Sequence, residues 1–182
     1  MKLKKANAVL GLLSIVILLA HAGYQVIAYI LLIYQPKVTM VLGWATVAVV
    51  SLHAVLGMSI VFFAHDGSRL KEYPKSNMRT ILQRASAVGI MVMLVLHIQS
   101  FSILHAGALG LAAAELIQVI FFSCIFTHTA VSLTNAFVTL GLLEDMEKKK
   151  KIDKAVWVIC LVLWLISVLV VGRTYMVLAS MS

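Results

Sequence analysis

Residues 38–64 read VTMVLGWATVAVVSLHAVLGMSIVFFA, twenty-seven positions without a formal charge. At a helical rise of about 1.5 Å per residue such a run is about 40 Å long, more than the ~30 Å hydrocarbon core of a bilayer. A surface helix of that length in a soluble protein carries a polar face, and this stretch has none. It therefore reads as a membrane span, with His53 as the one ionisable group near its middle.

Four comparable runs flank it, so five spans are expected near residues 6–34, 38–64, 81–105, 111–143 and 155–179. The whole chain agrees. Of its 182 residues 62% are hydrophobic and 12% charged, against about 45–50% and about 25% in soluble chains. The connections are short. Gln35-Pro36-Lys37 makes the first turn, and the proline there cannot continue a helix without strain. A polar loop from His65 to Thr80 carries Gly67 and Pro74, the region Ala106–Gly110 links the third and fourth spans, and Glu144–Lys154 could extend the fourth helix. The expectation is an all-α integral membrane protein, one domain over residues 1–182, folded as a five-helix up-and-down bundle in which chain neighbours pack antiparallel. No room is left for a soluble domain. Any chemistry belongs inside the bundle or in partner subunits.

The net charge of +8 is placed asymmetrically. Lys2, Lys4 and Lys5 precede the first span; Arg69, Lys71, Lys75 and Arg79 lie between the second and third. Lys148, Lys149, Lys150, Lys151 and Lys154 lie between the fourth and fifth. Lys37 alone falls in a loop on the other side, with Arg173 near the far end of the fifth span. The positive-inside rule then expects a cytoplasmic N-terminus and an external C-terminus. A basic rim of this kind meets anionic lipid headgroups or a docked partner, not nucleic acid. Ala20-His21-Ala22 imitates a signal-peptidase site, but the apolar run continues past it, which suits an uncleaved anchor. Cys124 and Cys160 are isolated in separate spans, which argues against thiolate metal sites, iron–sulfur ligation and covalent haem attachment.

Histidine carries the functional information. His21, His53, His97 and His128 lie one in each of the first four spans, about 20–24 Å of helix from the nearest charged residue at the basic end. An ionisable group at that depth is costly and needs a partner. One such histidine is commonly hydrogen-bonded to a carbonyl. Four at comparable depth match the four axial imidazoles of two b-type haems. Depth alone does not say which histidine pairs with which. His65 and His105 fall at span ends and read as interfacial. Gly23, Gly57 and Gly89 could admit a porphyrin face or serve helix contact. Glu115 is the sole carboxylate inside a span, either a proton relay for a quinone or a group facing water. Arg84 with Ser86 could hold haem propionates on the basic side, and Arg173 on the other, or the arginines could snorkel.

The order Leu52-His53-Ala54-Val55-Leu56-Gly57, a basic loop, Leu82-Gln83-Arg84-Ala85-Ser86-Ala87 and then His97 resembles the cytochrome b anchor of succinate dehydrogenases and fumarate reductases. The likeness is to the class with one five-helix chain and two haems, and the stretch from His128 through Asn135 to Gly141 extends it to four of the five helices. Alanine stands at position 87 where that family usually has glycine. The resemblance implies that His53 and His128 ligate a proximal haem iron and His21 and His97 a distal one. It implies electron flow between an iron–sulfur subunit and menaquinone, with succinate or fumarate chemistry in a flavoprotein subunit. It also implies a bacterial or archaeal cytoplasmic membrane, and allows a dimer of complexes. Two departures stand out. Some members carry a glutamate two residues before the fourth-helix histidine, where this chain has Phe126, and the first outer loop is too short to hold an acidic quinone-site residue. Two other readings stay open. One is a di-haem subunit of a nitrate reductase or formate dehydrogenase, though their ligand spacing is not seen here. The other is a non-haem transporter, which would be expected to show broken helices and paired repeats.

Overall fold

The computed structural model describes residues 2–31, 33, 35–63, 78–104 and 107–181. These form α1 (Lys2–Leu31), α2 (Pro36–Phe63), α3 (Met78–Ser100), a single 3-10 turn (Phe101–Ile103), α4 (Gly107–Leu140) and α5 (Met146–Met181). All five α-helices are long and apolar enough to cross a membrane. Along α5, Val158, Ile159, Leu161, Val162, Leu165, Ile166 and Leu169 stay exposed. A patch of that extent is foreign to a soluble monomer and costs nothing against lipid.

The helix ends follow local chemistry. Pro36 opens α2 at the position where its missing N–H matters least, and the carbonyl of Gln35 accepts from Thr39 N–H at 3.1 Å. Gly141, with φ 77°, ends α4 in the left-handed conformation that a side chain would strain. Its N–H reaches Val138 O at 3.0 Å, and Leu142 N–H reaches Phe137 O at 2.9 Å, a Schellman closure. Asp145 then caps α5, its Oδ1 accepting from Glu147 N–H at 2.8 Å and Lys148 N–H at 3.3 Å. The lysine run therefore begins the fifth helix and does not extend the fourth. Arg79, expected in the basic loop, belongs to the first turn of α3.

The helices lie in the spatial order α2–α1–α4–α3, with α5 against α4 and, more lightly, α1. The chain runs up and down, but α2 and α3, consecutive in sequence, form no extended interface. The physical reason is connector length. A few residues join α1 to α2 and α3 to α4 and hold each pair together, whereas residues 64–77 leave α2 and α3 free to pack elsewhere. The centre is α4, whose buried residues Leu111, Ala114, Gln118, Phe121 and Ile125 recur at three- and four-residue steps, with Ala130, Val131 and Thr134 buried further along.

Register is kept along the bundle. Asn7 faces Gly57, Gly11 faces His53 and His21 faces Gly43; the two residue numbers of each contact add to one total, as an antiparallel pair requires. The same holds where α4 meets α5, at Glu115 with Gly172, Ser123 with Trp164, and Thr134 with Asp153. At the basic end Arg79 ties three helices together. It donates from Nε to Val131 O at 2.7 Å and grips Asp153 with both terminal nitrogens at 2.6 and 2.9 Å, while Thr134 Oγ1 donates to Asp153 at 2.6 Å.

Candidate functional site

The four deep histidines fall into two layers. The rings of His53 on α2 and His128 on α4 have centroids 6.3 Å apart with planes at 72°. His21 on α1 and His97 on α3 form the other pair, each one turn beyond the contact of Leu18 with the Met93 cluster. The layers are marked by Gly11 and His21 on α1, His53 and Gly43 on α2, and His128 and Gln118 on α4. Each step is ten residues, about 15 Å of helix. Between them lies an apolar layer of Met93, Phe121 and Ile125, with Leu18 packed against it. Neither α2 with α4 nor α1 with α3 forms an extended interface, so each histidine pair reaches across an interval between helices.

Within each pair one ring is fixed. His128 Nδ1 lies 3.0 Å from Gln83 O and 3.3 Å from Ser86 Oγ. A carbonyl only accepts, so Nδ1 carries the proton and Nε2 keeps its lone pair. Ser86 directs its own hydroxyl proton back to its helix, at Leu82 O and Gln83 O. In the other layer, Ser100 Oγ donates to His97 O at 2.7 Å and so must accept from Gln118 Nε2 at 3.0 Å. That orients the Gln118 amide, whose Oε1 accepts from His97 Nδ1 at 2.6 Å. His97 thus also keeps Nε2 bare, with Phe101 and Phe121 beside its ring at 5.4 and 5.0 Å.

The other ring of each pair is unanchored. Nδ1 of His21 and of His53 is buried without a hydrogen-bond partner, and so are Asn7 Oδ1, Gln25 Oε1 and Thr39 Oγ1. Among the described residues every such orphan lies on α1 or α2. Buried polar atoms are normally paired, so this concentration marks the α1–α2 face as lacking something. Glycine seats both rings. A Cβ on Gly11 would stand 3.1 Å from His53 Cε1, and one on Gly43 3.6 Å from His21 Cε1. The glycines singled out from sequence act differently: Gly57 meets the Asn7 side chain, Gly89 packs so tightly that a Cβ would lie 2.7 Å from Cys124 Sγ, and Gly23 has nothing within 4 Å.

Glu115 rests on α5, its Oε1 at 3.4 Å from a Cβ position on Gly172. It shares this end of the α4–α5 contact with buried Tyr175, which packs against Leu111 and Ala114. Ser86 serves His128, as above. Arg84 is partly buried on α3, and Arg173 is exposed on α5, a helix without an extended interface to α2 or α3. His65, His105, Arg69, Lys71 and Lys75 lie outside the described residues. Both cysteines are free, Cys124 against Gly89 and Cys160 packed with Ala130 and Val156. Among the described residues no group of three or more His, Cys, Asp or Glu converges as a metal cage; the donor sets are pairs of imidazoles.

Sequence reasoning missed Gln118, Ser100, Tyr175, Gly11 and Gly43. Gln118 alone had a visible signal, a carboxamide inside an apolar helix. Compared with known proteins, the chain matches no family model, no curated protein and no solved structure.

Proposed function

We propose that this chain is the di-haem cytochrome b anchor of a succinate:quinone oxidoreductase or quinol:fumarate reductase. The observation that carries the reading is the pairing of a tautomer-fixed imidazole with an unanchored one in each of two stacked layers. A metal–imidazole bond of about 2.0 Å plus a ring radius of about 1 Å puts two axial imidazole centroids about 6 Å apart, and His53 and His128 are 6.3 Å apart. His53 and His128 would hold one haem b and His21 and His97 the other. Haem supplies reversible one-electron transfer. The residues of this chain do the rest. Gln83 O, Ser86 and Gln118 hold the protons of His128 and His97 on Nδ1, which orients each Nε2 and raises its basicity. Met93, Phe121, Ile125 and Leu18 keep water from the space between the layers.

On this reading the basic end faces the cytoplasm, where an iron–sulfur subunit and a flavoprotein subunit dock among anionic lipid headgroups. Quinone, menaquinone by the resemblance, exchanges protons and electrons at the opposite end. Glu115 and Tyr175 are titratable groups suited to passing those protons.

The test is direct. The purified chain should give a b-type alpha band on reduction and two haems per chain by pyridine haemochrome, both low-spin. One haem or none in fully supplemented cells contradicts the assignment. Co-purification of iron–sulfur and flavin subunits separates it from a nitrate reductase or formate dehydrogenase anchor.

A further inference from the structure

The orphaned polar atoms repeat at the two ends. Asn7 lies one turn closer to the basic end than Gly11, the seat of His53, and its side chain meets Gly57, one turn from His53 on α2. Gln25 lies one turn beyond His21 toward the opposite end, on the same face of α1. Each layer thus has one carboxamide on α1, displaced from its histidines toward the nearer membrane surface, and each of the two has a buried oxygen without a partner. Among the described residues the only other α1 side chain left in this state is His21. A buried amide left unpaired is destabilising, and a group that only accepts, such as an ionised carboxyl, satisfies it through its N–H groups. The amide can also turn over, presenting N–H in place of oxygen.

The two layers need such a group at their edges. A b-type haem carries two propionate carboxyls on one edge, and these avoid hydrocarbon by pointing toward the nearer surface. An apolar helix offers them nothing except a carboxamide, hydroxyl or basic side chain. α1 packs against both α2 and α4, so it borders the interval between His53 and His128. It also carries His21 itself.

We propose that Asn7, through its side-chain N–H groups, donates to a propionate of the haem that His53 and His128 would hold, and that Gln25 does the same for the haem that His21 and His97 would hold. The inference rests on the di-haem reading. Its consequence is that each carboxamide tunes one haem alone. An amide donor compensates propionate charge; removing it leaves more negative charge near the iron, favours the ferric state and lowers the potential.

The experiment uses the full chain with its co-purified subunits in membranes. The haem content of the wild type comes first, because absence of haem there refutes the di-haem reading itself. With two haems present, the alpha bands are titrated potentiometrically in wild type, Asn7→Leu and Gln25→Met. Asn7→Leu should shift the oxidised-to-reduced equilibrium of the haem lost in His53→Ala several-fold toward oxidised and leave the other within error. Gln25→Met should do the reverse. Should either variant lose haem, redox-difference infrared spectra of the wild type with carbon-13-labelled propionates give an independent reading: hydrogen-bonded carboxyl bands whose frequency moves in Asn7→Asp and Gln25→Glu support the assignment. Unmoved potentials with both haems retained, or a change in quinone KM alone in Gln25→Met, overturn it.

Discussion

Gln118 carries no charge, yet it holds His97 and Ser100 at once from a site only 4% exposed. Replacing it by leucine leaves the His97 ring and the Ser100 hydroxyl each short of a partner, a loss of about 1–3 kcal/mol per buried group. Gln118→Leu should lower stability by about 2 kcal/mol or more in a thermal melt, and on the di-haem reading should disturb the spectrum of the haem proposed for His21 and His97 while sparing the other. Glu115 is a separate matter. Glu115→Gln should slow quinone turnover at least several-fold and leave both haem spectra and soluble-dye dicarboxylate activity intact; unchanged turnover removes it from the mechanism. At this scale the sequence was informative only in part. The four histidines stand out because an ionisable group in an apolar run is costly wherever it points. Their supports do not. Gln83 acts through a carbonyl that every residue possesses, and Gly11 and Gly43 matter only through a register between two helices.

The helices themselves were legible, since length and hydropathy decide whether a segment can span. Their ends shifted where a cap intervened: Gly141 and Asp145 break the chain between α4 and α5, so the lysine run belongs to α5. Which helices touch was not legible. A helix apolar on all sides shows no preferred face, and lipid removes the hydrophobic bias that would reveal one. Contacts then depend on small residues, and Gly89 is the sharpest case. Gly89→Ala places a methyl 2.7 Å from Cys124 Sγ, and neither α3 nor α4 can retreat without shifting His97 or His128. The substitution should cost about 1–3 kcal/mol. Adding Cys124→Ala should restore most of that loss in the same melt, because the sulfur is the atom in conflict; no rescue would show that the backbones, not the side chain, set the distance.

Across the whole molecule the basic end is the best-tied. Arg79 and Asp153 remain partly open to solvent, with side chains 33% and 23% exposed, so their pair contributes less than a dry one would. Asp153→Asn should therefore cost about 1–2 kcal/mol, chiefly through weakened charge-assisted bonds, and should loosen the ends of α3 and α5 against α4 without altering the haem count. A reporter fused after Ser182 should be active only outside the cytoplasm; cytoplasmic activity there would reverse the orientation that the basic rim implies. The order α2–α1–α4–α3 has a further consequence for how such a protein is made. Residues 2–63 contribute His21 and His53, and residues 78–181 contribute His97 and His128. Each ligand pair takes one member from either side of the α1–α4 seam, with the anchored imidazoles all in the later portion. On the di-haem reading the cofactors are rivets between two separately synthesised halves, and biogenesis becomes a problem of joining them. Cut within residues 64–77 and expressed as two polypeptides, the halves should co-purify when cells make haem and separate when haem synthesis is blocked.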